Sequence, residues 1–155
     1  MNIDNLQKKD VEKYIEKLKD WNTDQNKYAE FKYIFNLKEV LTDLIDVLEN
    51  KGLVLVAKIK NEIVGSIVFE ITKMNLCPHA TGIERVWHCN SNLPSKTKYR
   101  ILQNLLDKAD KWAKENNLKR LIVISSTKNP IVKLIKKNKY VETETYFEKE
   151  IKYGK

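Results

Sequence analysis

The chain is poor in the residues that crosslink or interrupt a fold: its 155 residues include only 2 cysteines, 3 prolines and 4 glycines. Two cysteines exclude a disulfide framework and suit a reducing compartment. So little Pro and Gly argues against a low-complexity linker, and no internal repeat is present. No apolar run approaches the roughly 20 residues that span a bilayer. The opening Met1-Asn2-Ile3-Asp4 has no signal-peptide character, so a soluble, cytoplasmic protein with no membrane partner is expected. With 42% apolar and 32% charged residues, disorder is excluded and one domain over residues 1–155 is expected.

The charge is unevenly spread. Residues 1–50 hold 8 basic and 11 acidic side chains, whereas residues 51–155 hold 21 basic and 10 acidic ones. The later portion therefore favours an anionic partner, such as a phosphorylated cofactor, a nucleic acid or an acidic protein. The alternative is that a Lys- and Asn-rich composition carries no functional message.

Periodicity gives the elements. Residues 4–21 read as an amphipathic helix through Val11, Tyr14, Ile15, Leu18 and Trp21, with Asp4 as its cap. Tyr28, Phe31, Tyr33 and Phe35 follow in a less regular stretch expected to pack on the core. A second helix over 37–49 is capped by Asn36 and stopped at Asn50-Lys51-Gly52, where Gly52 is expected to turn left-handed. Residues 1–50 thus form an N-terminal helical portion.

The period then changes to two. Residues 53–59 and 63–72 make a β-hairpin around Lys60-Asn61-Glu62, and Gly65 marks a bulge or a close approach. Residues 83–89 form a further strand. Residues 98–116 carry the best helical stripe: Ile101, Leu102, Leu105, Leu106, Ala109, Trp112 and Ala113. Residues 121–124 read as a buried parallel strand, Asn129-Pro130 opens a short helix, and 140–151 alternate as a last strand. An antiparallel meander feeding a βαβ crossover makes an α/β fold: a mixed central sheet flanked by helices.

This order, together with Leu105-Leu-Asp-Lys-Ala-Asp-Lys-Trp-Ala-Lys-Glu-Asn-Asn-Leu-Lys-Arg-Leu-Ile-Val123, resembles the GNAT fold of GCN5-related N-acetyltransferases over residues 37–151. The quoted stretch is similar to that family's cofactor-binding helix and fifth strand. Pro94 falls where the family often has a proline before its pyrophosphate loop, and 129–140 resembles its next helix and turn. The family's first strand is expected to be missing or very short here.

The resemblance implies an acyltransferase: an acetyl-CoA-dependent N-acetyltransferase acting on an amine of a small molecule or protein. The family loop, Arg/Gln-x-x-Gly-x-Gly/Ala, holds the coenzyme A pyrophosphate on backbone N–H groups at a helix N-terminus. The aligned residues are Thr97, Lys98, Tyr99, Arg100, Ile101 and Leu102, just after Lys96, so Arg100 and Leu102 fill both glycine positions. Either Lys96, Lys98 and Arg100 replace amide contacts by direct charge, or the site has been repurposed. In the first case the backbone around 95–102, the strand at 86–89 (with Val86 and His88) and Asn129 form the cofactor cleft.

Amine acetylation needs a base. Glu84 is the first candidate and His88 the second, the latter because histidine titrates near neutrality. Strand alternation puts Glu84, Val86 and His88 on one face and Arg85, Trp87 and Cys89 on the other. Both candidates also have bland readings, as a surface carboxylate paired with a lysine and as a structural histidine. The family's tyrosine acid aligns with Ile135, which leaves Tyr140 and Tyr146 as substitutes or as packing residues. Cys77, His79, His88 and Cys89 invite a zinc reading, but neighbours on a strand point to opposite faces, so no metal is expected. Basic and aromatic residues interleave at 96–100 and 133–140. This keeps open an alternative: a catalytically altered GNAT-fold protein binding or modifying nucleic acid, or binding a protein partner.

Overall fold

The computed structural model describes residues 1–26, 35–73, 79–125 and 131–142. The elements are β1 (Asn2–Asn5), a 3-10 turn (Lys8–Asp10), α1 (Val11–Gln25), α2 (Leu37–Glu49), β2 (Leu53–Ile59), β3 (Glu62–Lys73), β4 (Ala80–Cys89), α3 (Ser95–Glu115), β5 (Arg120–Ile122) and α4 (Val132–Lys137). The described strands form one sheet in the order β1-β2-β3-β4-β5. The first three pairings are antiparallel and β4 with β5 is parallel.

The start of the chain corrects the sequence reading. Residues 2–5 are a strand on the edge beside β2, pairing Ile3 with Ala57, and the helix begins only at Val11. Asp4 therefore caps nothing. The first strand, expected to be missing or very short, is present as these four residues, and one apolar residue, Ile3, anchors it in the core. Lys108 of α3 donates its ammonium to the Ile3 carbonyl, which helps cover this otherwise open edge.

Helix α2 forms where it is expected. The Asn36 side chain accepts from the Lys38 and Glu39 N–H groups, satisfying two of the orphan donors of the first turn. Its end differs in detail. Lys51 takes the left-handed conformation, at φ 59°, and among the described residues no glycine has positive φ. Gly52 is needed for room instead: a Cβ there would lie 2.6 Å from the Val47 carbonyl oxygen and 2.7 Å from that of Phe69.

The β2–β3 hairpin turns through Lys60 and Asn61, both with positive φ, as a twisted two-residue turn requires. A register shift lies between Ala57 and Lys58, next to Gly65. A Cβ on Gly65 would stand 2.8 Å from the Ile101 side chain. Gly65 thus serves both uses expected of it, beside a bulge and under a close approach.

Two apolar layers sandwich the sheet. On one face Tyr14 and Trp21 of α1 and Leu44 and Val47 of α2 cover Val54, Val56, Ile63 and Val68. On the other, Ile101, Leu105, Leu106 and Ala109 of α3 and Leu134 of α4 cover Leu53, Leu55, Ile67, Phe69, Trp87 and Cys89. Each large side chain taken fully from water contributes roughly 1.5–3 kcal/mol before entropy is counted. The stripes expected on α1 and α3 are the ones that are buried. The expected core positions Tyr28, Phe31 and Tyr33, and the final strand beyond Glu142, lie outside the described residues.

Candidate active site

The chemistry-bearing region starts where two strands part. β4 pairs with β5 at Thr81, Gly82 and Ile83 against Arg120, Leu121 and Ile122. Strand β4 then runs on to Cys89, while β5 ends at Ile122. Among the described residues no strand pairs with that edge of 84–89. Alternate backbone N–H and C=O groups there can take an extended ligand.

A bulge stands at the mouth of this fork. Val68 pairs with Val86 but Phe69 pairs with Glu84, so Arg85 is the extra residue. The strict alternation expected from sequence therefore fails. Glu84 falls on the α3 side with Phe69, whereas Val86 and His88 lie on the α1 side. Arg85, turned outward, pairs with Glu70 at 2.6 Å rather than with a site ligand.

Glu84 is not the surface carboxylate of its bland reading. It is 8% exposed and its Oε2 accepts from the Ile124 N–H at 3.2 Å. The carboxylate thereby bridges the two strands just beyond their last paired residues. Burial pushes its pKa up from 4.5 to about 7, against smaller lowering effects of the Ile124 N–H and the Arg85 charge. A buried carboxyl titrating near neutrality, at a strand fork, has the attributes of a general base or acid.

His88 lies on the opposite face. Its ring stands 5.2 Å from that of Trp21, centroid to centroid, and its cross-strand neighbour is Ser66. Ser66 in turn shares a 3.2 Å hydrogen bond with the fully buried Tyr14 hydroxyl. Cys89 is buried beneath α3, and burial raises its thiol pKa to about 11. His88 and Cys89 therefore do face opposite sides. Among the described residues no group of three metal-ligating side chains converges. His79 is exposed, and Cys77 lies outside the described residues.

Helix α3 runs back over β4 from the open end of the fork. Ile101 near its start packs on Gly65, the partner of Cys89, and Trp112 near its end lies over Gly82. The helix expected over 98–116 starts earlier, at Ser95 after Pro94, so the positions 97–102 that align with the family's loop are helical. Arg100, Ile101 and Leu102 therefore sit past the first turn, with backbone N–H groups inside the helix. Ile101 is fully buried and Leu102 packs on the core, so neither side chain can reach a phosphate.

What is open to an anion is the first turn, Ser95 to Thr97. It has no side-chain cap and no acidic residue. Lys96 is exposed beside it, and Lys98 bonds the Ser91 carbonyl at 3.1 Å. The helix dipole and these ammonium groups point to the same charge of ligand.

The two basic-aromatic stretches meet each other. Lys137 of α4 lies 5.1 Å from the Tyr99 ring centroid. Tyr99 is thus partly engaged by its own chain rather than open for base stacking. Tyr140 packs on the core and its hydroxyl donates to Asp110 at 3.2 Å, while burial and that carboxylate hold its pKa above the tyrosine range. Asn129 and Tyr146 lie outside the described residues.

Sequence reasoning missed Ile124, and it placed Trp87 and Ser95 in the expected cleft only as backbone. Nothing local marks the bulge at Arg85: Gly82, three residues before it, lies in the regularly paired stretch. Only the pairing with β3 reveals which neighbours of Glu84 share its face.

No protein-family model matches the sequence, and no curated protein matches it. Solved structures do. A Clostridium acetobutylicum protein described as a "predicted acetyltransferase with acetyl-CoA" superposes with TM-score 0.74 at 15% identity, covering 96% of this chain and 95% of that one. An aminoglycoside acetyltransferase from an uncultured soil metagenomic sample, in complex with sisomicin, gives 0.70 at 15%, covering 97% and 96%. Glucosamine-6-phosphate N-acetyltransferase of Arabidopsis thaliana gives 0.70 at 14%, covering 97% and 98%. The described chain has the fold of these acetyltransferases, the GNAT fold, with a mixed sheet flanked by helices. Among the described residues no helix is long and apolar enough to cross a membrane.

Proposed function

We propose that this chain, which has the GNAT acetyltransferase fold, is an N-acyltransferase that moves an acetyl group from acetyl-CoA to an amine. The observation that carries the reading is the fork between β4 and β5 with the Glu84 carboxyl buried at its mouth, accepting from Ile124 N–H. The residues present fit a thioester with a pyrophosphate tail. The edge of 84–89 suits an extended amide-bearing arm, and the uncapped first turn of α3 with Lys96 and Lys98 suits the phosphates.

Bound acetyl-CoA would supply an activated acyl carbon, with a C–N bond forming as the C–S bond breaks and the thiolate departs. The chain's residues must do the rest. An ammonium is no nucleophile, so one proton must leave it first. Glu84, with a pKa of about 7, is part ionised at neutral pH and can take that proton. The Ile124 N–H holds the carboxylate in place and leaves Oε1 to accept. Lys96, Lys98 and the Ser95 to Thr97 backbone orient the anionic tail and so fix the thioester at the fork. Arg100, exposed one turn further, can add charge but no backbone contact.

The acceptor class is an amine. Structures of the same fold bear the names of enzymes for aminoglycosides and glucosamine-6-phosphate, and a carboxylate base of this kind suits any primary amine. No observation favours a nucleic-acid partner over this reading.

The test is thiol release from acetyl-CoA with a panel of primary amines between pH 5.5 and 9. Amine-dependent release with an acidic limb near pH 7, lost in Glu84→Gln with a fall of about 10²–10⁴ in rate, is expected. Amine-dependent release that is undiminished in Glu84→Gln would remove Glu84 from the mechanism. The absence of release with every amine would overturn the reading.

A further inference from the structure

Strand β4 carries a second group that the mechanism above leaves idle. Trp87 is 4% exposed, and its indole Nε1 is buried with no hydrogen-bond partner among the described residues. Buried tryptophan N–H groups are normally paired, and leaving one unpaired carries the cost of its desolvation. An indole N–H only donates, so only an acceptor atom can satisfy it.

Its place in the strand says which acceptor. The bulge at Arg85 puts Glu84 and Trp87, opposite Phe69 and Ile67, in consecutive positions on the α3 side of β4. Were every residue from Glu84 onward regularly paired, Trp87 would instead fall opposite Ser66, on the face of Val68. Trp87 also lies in the stretch of β4 that β5 leaves unpaired. One same-face step along a strand is about 7 Å. That span accommodates an amine held at Glu84 and the carbonyl group it attacks, with the carbonyl oxygen turned to the next side chain.

We infer that the Trp87 indole N–H is a catalytic donor to the thioester carbonyl oxygen of the acyl donor. This rests on the acyltransferase reading. The donor is neutral at all working pH values and is fixed by core packing before the ligand arrives. Its hydrogen bond strengthens as negative charge grows on that oxygen, which is how a preorganised donor lowers a barrier. The unpaired N–H is then a cost borne by the unliganded protein and relieved by the acyl group. Thr81 Oγ1, a buried hydroxyl lacking a partner among the described residues, lies in the paired stretch and has no such role.

The experiment reads the indole directly. The wild-type protein, labelled with ¹⁵N at tryptophan, is titrated with acetyl-CoA, coenzyme A and S-ethyl-coenzyme A, which lacks the carbonyl. Calorimetry establishes that each binds. The three indole signals are assigned through Trp21→Phe and Trp112→Phe, so the result does not depend on Trp87→Phe folding. A downfield displacement of the Trp87 proton with acetyl-CoA, and none with the other two, is expected. Trp87→Phe, where folded, should weaken acetyl-CoA binding about tenfold relative to coenzyme A, and lower kcat by about 10²–10³. Acetyl-CoA binding with a Trp87 signal identical to that given by the S-ethyl compound would overturn this inference and leave the acyltransferase reading intact. Failure of all three to bind would overturn both.

Discussion

The Glu84 carboxylate and the Ile124 N–H meet at 3.2 Å just past the last paired residues of β4 and β5, Ile83 and Ile122. One hydrogen bond thus joins two strands that have stopped pairing. It also places a titratable group where an extended ligand can enter between them.

The first prediction follows from the sign of the Glu84 shift. Its pKa is raised on folding, from 4.5 to about 7, so the folded state holds its proton longer than the unfolded chain. Below about pH 4.5 both states are protonated and nothing is lost. As pH rises from there to about 7, stability falls, and above 7 the full cost of a buried charge remains. At about 1.4 kcal/mol per unit this amounts to roughly 3 kcal/mol. Urea titrations of wild type and Glu84→Gln between pH 4.5 and 8 should show the variant gaining on the wild type as pH rises. A constant difference across that range would contradict the assigned burial.

The end of α2 gives a pair of opposite expectations. Lys51→Gly should stabilise the protein by up to about 1 kcal/mol, because a left-handed residue is relieved of its Cβ. Gly52→Ala should destabilise by about 2 kcal/mol or more, because its Cβ would press on two carbonyl oxygens that cannot move cheaply. Thermal midpoints of the two variants decide the matter. If Gly52→Ala is neutral, the close approach of Val47 and Phe69 is wrong.

Tyr140 separates packing from catalysis. Its hydroxyl donates to the part-buried Asp110, so Tyr140→Phe removes that bond and should cost about 1 kcal/mol of stability. Acetyl transfer should fall far less than in Glu84→Gln. A loss as large as that of Glu84→Gln would instead make Tyr140 the proton donor that the sequence suggested.

Asp10 and Lys58 form a part-buried ion pair at 2.6 Å, tying the 3-10 turn to β2. The hydrogen bond and charge of Lys58 hold the Asp10 pKa below its ordinary value of 3.8. A lowered pKa means stability that is present above the ordinary value and lost as pH falls below it. Asp10→Asn should therefore lower the unfolding midpoint at pH 7 and lose that difference toward pH 2. A difference that persists there would assign the effect to packing.

Much of this fold is legible in the sequence because it is written locally. The stripe from Ile101 to Ala113, the Asn36 cap and the Lys60-Asn61 turn each lie within one element. β1 is not legible, since Asn-Ile-Asp-Asn has one apolar residue and becomes a strand only by pairing with β2. The site was legible as residue types but not as an arrangement. Glu84 stands out as a carboxylate on a strand, yet the bulge at Arg85, which parts it from His88 and joins it to Trp87, depends on register with β3. The helical start of α3 at Ser95 likewise moves the anion-facing amides ahead of the positions aligned by resemblance.

The central claim is that the fork between β4 and β5 and the first turn of α3 hold an acyl-coenzyme A. Isothermal titration of the full chain with acetyl-CoA, repeated with coenzyme A, tests it most directly. The account predicts one site per chain with micromolar affinity for both, weakened when Lys96 and Lys98 are changed together to alanine. Absence of heat at millimolar acetyl-CoA, from a protein shown to be folded, would contradict it.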